Sequence, residues 1–365
     1  MTRLSTLSAV FLVLAGLTAV APIAEARQFK KPAYYPAGTF NWTVIAADFN
    51  HDGNLDLVTG DYDNANLYVY LGKGDGTFHK ALVTHLPGYP SALAVGDFNG
   101  DHIPDFAAIE SESVLAIYLS NGDGTFRNSA NYDLGGGVPE LLAVADFNGD
   151  GHPDIAVTNQ DGDVMIFFGK GNGRFGKKPA IYELPGTPWG VTASDLNGDH
   201  HPDLVVTEFN GGAVAILMND GRGKFNLKAT YSAPSGEPFS TAVAPLKNGG
   251  NLDLIVSCAT GIAVFPGNGD GTFGIPTLYP ADVARASAVA DFNGDGNLDV
   301  ATVSFDFAGV YLFYGNGDGT LQQPVPIKLR NGGALTLVTA DFNKDGFPDL
   351  AIGSGVHLAV LLNAR

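Results

Sequence analysis

Cysteine is nearly absent from this chain. Cys258 is the sole thiol among 365 residues, so no internal disulfide can secure the fold. Basic residues are scarce as well, 20 Lys and Arg against 38 Asp and Glu. The formal net charge of −18 argues against nucleic acid as a partner, because phosphate binding needs a basic face. Anionic membranes are disfavoured for the same reason, and no membrane insertion is expected. Beyond the extreme N-terminus there is no stretch with helical apolar spacing over about twelve residues, which excludes a helical core. What the chain has in quantity is glycine (48 residues), proline (21) and apolar residues (45%), a composition for a folded protein of short strands and tight turns.

The N-terminus reads as a secretory signal over residues 1–26. Arg3 supplies the positive start, Ala9 to Val20 the apolar run, and Ala24-Glu25-Ala26 the small residues of a cleavage site. Leu17 stands where a lipidated cysteine would be required, so a soluble secreted or periplasmic product without a lipid anchor is expected. The rest, residues 27–365, is read as one domain.

That domain is repetitive. An acidic stretch recurs as "DFNHDGNLD" from Asp48, "DFNGDHIPD" from Asp97, "DFNGDGHPD" from Asp146, "DLNGDHHPD" from Asp195, "DFNGDGNLD" from Asp291 and "DFNKDGFPD" from Asp341. A decayed copy, "PLKNGGNLD", starts at Pro245. The spacing of roughly 50 residues implies an array of one supersecondary unit. Each unit places an apolar run before the acidic stretch, a second after it, and a third leading into a glycine turn such as "GNGDGTF" at Gly267; a fourth segment follows. Asp-Gly and Asn-Gly pairs between apolar runs are hairpin signals, so each unit is four short antiparallel strands. Seven such units predict an all-β, seven-bladed β-propeller. The last unit ends at "HLAVLLNAR" without a fourth strand, while "RQFKKPAYYPAG" near the start matches fourth strands such as "RFGKKPAIYELPG". The N-terminal strand is therefore expected to complete the last blade and close the ring.

Numbering each acidic stretch from its first Asp, oxygen-bearing side chains fall at positions one, three, five and nine, with a backbone carbonyl available at seven. Hard oxygens at alternate positions around a tight turn suit calcium; magnesium, which keeps several waters, fits less well. The expected ligands are Asp48, Asn50, Asp52, Asn54 and Asp56; Asp97, Asn99, Asp101, Ile103 and Asp105; Asp146, Asn148, Asp150, His152 and Asp154; Asp195, Asn197, Asp199, His201 and Asp203; Asp291, Asn293, Asp295, Asn297 and Asp299; and Asp341, Asn343, Asp345, Phe347 and Asp349. Position seven contributes its carbonyl in each set. Asp, Asn and Gly are also ordinary turn formers, but a turn needs one or two of them rather than six copies of four at fixed spacing. The six stretches hold 18 aspartates, numerically the whole net charge, and six bound Ca²⁺ ions would bring −18 to −6. His102 and His200 replace the glycine at position six and weaken the second and fourth sites; Pro245, Lys247 and Gly249 empty the fifth.

On these residues the chain resembles the FG-GAP or VCBS repeat proteins, whose fold is the seven-bladed propeller of integrin α subunits. The resemblance covers nearly everything after the signal. It implies calcium in the loops joining first and second strands on the lower face, and ligand binding on the opposite face. The family includes adhesion receptors, lectins and domains attached to polysaccharide-degrading enzymes, so fold does not settle function.

On the upper face, the position six residues before each acidic stretch is Trp42, Ser91, Glu140, Trp189, Phe239, Arg285 and Leu335. Both tryptophans of the chain fall in this register near the channel mouth, with Tyr89 close by, and aromatic faces with a few polar groups suit a sugar or a peptide anchor. Trp42, Tyr89, Glu140, Trp189, Phe239 and Arg285 are the candidate ligand residues; side chains that merely plug the channel are the competing reading. Catalysis has no visible constellation: the histidine spacing fits no zinc site, no nucleophile elbow occurs, and Cys258 sits in an apolar strand. The expectation is a monomeric, calcium-binding module for glycans or extracellular proteins. A lyase-like carbohydrate-active enzyme using groups such as Glu140 and Arg285, or a purely structural protein, are the alternatives.

Overall fold

The computed structural model describes residues 29–111, 113–330 and 333–365. The signal-like segment lies outside them. The described residues form 28 strands and no helix, arranged as seven four-stranded antiparallel sheets. Blade 1 shows the pattern: Asn41–Ala47, Asp56–Asp61, Asn66–Tyr70 and Leu82–His85 in that order. The first strands of successive blades touch one another around the ring, including those of blades 7 and 1, and so line the central channel. The second strands are buried along their whole length, whereas the fourth strand of blade 1 is exposed at every residue. Continuous apolar runs in the middle of each blade thus mark burial on both faces of the sheet.

The ring closes as the sequence predicts. Ala33–Pro36 pairs antiparallel with His357–Leu361, making the fourth strand of blade 7. The closure extends outward: Phe29 forms a bridge with Asn363, as Phe78 does with Gly72 at the glycine turn of blade 1.

Two motif phenylalanines owe their recurrence to the blade boundaries. The residue at position two of the acidic loop packs edge-on or tilted against the aromatic that ends the next glycine turn. The pairs are Phe49 with Phe126, Phe98 with Phe175, Phe147 with Phe225 and Phe342 with Phe78, with ring centroids 5.3 to 5.9 Å apart. Phe292 of blade 6 meets Phe29 instead, because the closing segment supplies the aromatic that a seventh turn would have carried. Each pair adds about 0.5–1.5 kcal/mol beyond its buried area and ties one blade to the next.

Candidate functional site

On the lower face, the acidic stretch is the connection between first and second strands. Its position nine begins the second strand, opposite the last residue of the first: Ala47 faces Asp56, Ala290 faces Asp299 and Ala340 faces Asp349. Position one is held from inside the loop. Its Oδ2 accepts the N–H of position six in all six intact copies, at 2.7–2.9 Å. The amide oxygen at position three accepts the N–H of position five at 2.8–3.1 Å. Oδ1 of position five accepts the N–H of position seven at 2.8–3.0 Å. Wrapping the chain this tightly requires positive φ at positions four and six. His102 (φ 65°) and His200 (φ 67°) adopt it where the other intact loops have glycine, and their rings lie 3.5 and 3.8 Å from Asp97 and Asp195.

Position nine is different in kind. Asp56, Asp105, Asp154, Asp203, Asp299 and Asp349 are fully buried. One oxygen takes the N–H of position two, as from Phe49 to Asp56 at 2.9 Å. The other takes an N–H from the end of the third strand, as from Gly72 to Asp56 at 2.8 Å. Burial pushes these six carboxyls up to about 6, against the opposing effect of the backbone N–H bonds, and the loop's other carboxylates add to the rise. Position nine is therefore an anchor of the hairpin as well as a candidate ligand, a role that spacing alone does not reveal.

The donor chemistry suits a hard cation. Each intact loop gathers carboxylates, an amide oxygen and a backbone carbonyl, all oxygen, in one turn, and position nine feels the charges of positions five and one. Among the described residues no three Asp, Glu, His or Cys side chains converge into a ready cage. The fit thus relies on the amides and carbonyls of positions three and seven together with the acids.

On the upper face, Trp42, Ser91, Trp189, Phe239, Arg285 and Leu335 line a single cavity of about 120 Å³ at the channel mouth. The register predicted from sequence is thus a real ring. In six blades the ring residue lies where the pairing of the first two strands slips by one residue, as between Asn41 and Thr43 or between Ala284 and Ala286. Such bulges re-aim side chains. Blade 5 has no bulge, and Phe239 precedes its strand. Glu140 does not line the cavity; Leu141 does, and Glu140 accepts a hydrogen bond from Gln160 Nε2. Tyr89 lies at the rim, where its ring meets Tyr62 at 6.0 Å.

The rim carries two aromatic groups. Phe40, Trp42, Tyr62 and Tyr89 form a chain of rings 5.2–6.0 Å apart across blades 1 and 2. Trp189, Phe209 and Phe239 form a second, 5.0–6.5 Å apart, and the Arg285 guanidinium lies 4.0 Å over the Phe239 ring.

A further set shares one place in every blade, which sequence reasoning did not recognise as common to them. The last residue of each second strand, Asp61, Glu110, Asn159, Glu208, Cys258, Ser304 and Ser354, is buried. Several hold the upper loops: Asp61 Oδ1 accepts the N–H groups of Thr39 and Phe40, and Asn159 Nδ2 donates to Gly136 O at 2.9 Å. Their residue types differ, so only the constant offset from the acidic loop could have signalled them. Cys258 occupies this place as a buried thiol, pushed by desolvation up to about 11.

Comparison with known proteins agrees with this architecture. The chain aligns with the BBS1 N-terminal domain crystallised with ARL6 at 14% identity and TM-score 0.66, over 93% of this chain and 97% of that one. It aligns with an Agrocybe aegerita lectin that recognises non-reducing terminal N-acetylglucosamine at 20% identity and TM-score 0.60, over 89% and 86%. These likenesses establish fold. No curated protein matches the sequence. The FG-GAP-like repeat matches six times, over residues 48–108, 97–157, 146–206, 195–256, 246–302 and 291–352, and the chain therefore belongs to the FG-GAP-like repeat family.

Proposed function

We propose that this protein is a secreted, calcium-stabilised binding module that holds a glycan on its upper face. The observation that carries this reading is the pair of aromatic groups at the channel mouth, with Trp42 36% exposed and Tyr89 48% exposed beside it. Large rings left open to solvent at a concave, rigid rim suit the apolar faces of sugar rings. The two structural neighbours, one crystallised with a protein and one a lectin, agree with a binding role for this kind of scaffold. On the lower face, the oxygens of positions one, three, five, seven and nine would hold the cation, which supplies charge neutralisation and cross-linking of each hairpin. The chain's own contribution is to hold those oxygens in register through the N–H bonds described above. An extracellular protein ligand would use the same rings as anchors.

A glycan array run in calcium, and again with chelator, tests this. Binding without product release is expected, and the Trp42→Ala/Trp189→Ala double variant should lose it while keeping its melting temperature. Turnover of a polysaccharide would replace this reading with an enzymatic one.

A further inference from the structure

Two residues that line the channel-mouth cavity each carry a buried side-chain atom with no hydrogen-bond partner: Arg285 Nε and Ser240 Oγ. Both can donate. Among the described residues no carboxylate lies within 4.0 Å of Arg285. Its guanidinium carbon lies 4.0 Å over the Phe239 ring, and Trp42 and Trp189 are among the residues that complete the walls. A half-buried arginine without an anion is a costly arrangement, since desolvation is incurred and no ion pair recovers it. Desolvation lowers its pKa, and the acids whose charge reaches it, Asp306 and Glu237, are both exposed. The fork stays charged nonetheless, because guanidinium does not lose its proton in proteins.

We propose that this cavity is a carboxylate subsite, with Arg285 and Ser240 receiving the acid group of a uronic-acid-bearing glycan whose ring lies between Trp42 and Trp189. The proposal rests on the glycan reading above and names the sugar class. One positive charge and one neutral hydroxyl match a monoanion; a phosphate dianion would leave a charge uncompensated between apolar walls. A planar carboxylate also fits the guanidinium edge bidentately. The cavity of about 120 Å³ has room for the acid group and the near edge of its ring, with the rest of the chain crossing the aromatic rim. The overall negative charge opposes the approach of such a ligand, but beyond about 8 Å this is largely screened at physiological salt.

The test is calorimetric titration of the full calcium-loaded chain with cellouronate oligosaccharides, their methyl esters and neutral cello-oligosaccharides. The free acid should bind at least about tenfold more tightly than the ester, the span expected of a charge-assisted hydrogen bond. Arg285→Gln should abolish that preference, Arg285→Lys should retain part of it, and Ser240→Ala should weaken the acid several-fold. Asp306→Asn should strengthen it modestly. Melting curves show whether each variant is folded, and Arg285→Lys serves as the reading if Arg285→Gln is not. Equal affinity for acid and ester, or acid binding indifferent to Arg285, overturns the subsite. If neutral sugars bind in a Trp42- and Trp189-dependent way while the acids do not, the glycan reading stands and the carboxylate inference fails. If no sugar binds, both fail.

Discussion

Blades 5 and 6 are neighbours built on one repeat, yet one has kept the acidic loop and the other has lost it. In blade 6, Asp291, Asn293 and Asp295 fold the loop around their own backbone. In blade 5 the same places hold Pro245, Lys247 and Gly249, but Asp253 remains at position nine. It keeps both bonds of its counterparts, from Leu246 N at 3.0 Å and Gly267 N at 3.0 Å. Its neighbour replaces what the loop lost: Asn248 N donates to Gly317 O at 3.0 Å, Asn248 Nδ2 donates to Asn297 Oδ1, and the backbones of Lys247 and Asp318 form an antiparallel β-bridge. The repeat therefore separates two duties. Position nine builds the hairpin whether or not a cation is bound, while positions one, three and five can be lost together without loss of the blade.

The largest effect should come from breaking the shared part. Asp253→Ala and Asp299→Ala each strand two or more buried N–H groups, at about 1–3 kcal/mol per group. Both should lower stability by several kcal/mol in denaturant melts. A neutral Asp253→Ala would show that the blade 5 anchor is idle.

Breaking only the divergent part should separate the blades. Asp291→Asn/Asp295→Asn is expected to cost one calcium site by calorimetry and leave the metal-free melting temperature nearly unchanged. The triple substitution Pro245→Asp/Lys247→Asn/Gly249→Asp should add one site. Ligand-dependent stabilisation of about 3 kcal/mol at a hundredfold excess over Kd is the scale per site.

A pH titration sharpens the same contrast. In the metal-free protein the six buried aspartates have their folded pKa raised to about 6. Between the ordinary carboxyl range, about 4, and 6, the folded state binds more protons than the unfolded one, so stability falls as pH rises through that window. Calcium should flatten or reverse the fall, because a bound cation favours the ionised form. Rising stability over that range in EDTA would contradict the burial argument.

The smallest effect concerns the two histidines that replace glycine at position six, His102 and His200, both at positive φ. His102→Gly and His200→Gly should each stabilise by about 1 kcal/mol, the scale of left-handed strain in a non-glycine residue. Calcium affinity in blades 2 and 4 should rise toward that of the others.

Much of this was legible in sequence because the repeat presents each feature several times. Strand order, ring closure by the "RQFKKPAYYPAG" segment and the register of Trp42, Trp189, Phe239 and Arg285 all follow from spacing. What spacing could not distinguish was position nine as anchor from position nine as ligand, since a carboxylate serves either role and only burial tells them apart. The bulges were hidden because they depend on pairing register rather than residue type. Glu140 shares the ring's register but bonds to Gln160, in the turn that follows the second strand, a contact between residues 20 apart in sequence. That the second-strand ends form one set was missed because Asp61, Asn159, Cys258 and Ser304 share a place and no chemistry.

The most direct measurement is a count of bound calcium by native mass spectrometry on the purified chain, with melting followed in parallel with and without EDTA. Six ions at saturation, the two in blades 2 and 4 released first, and a lower melting temperature in EDTA are the predicted result. No uptake, or a seventh ion in the unaltered chain, would contradict it.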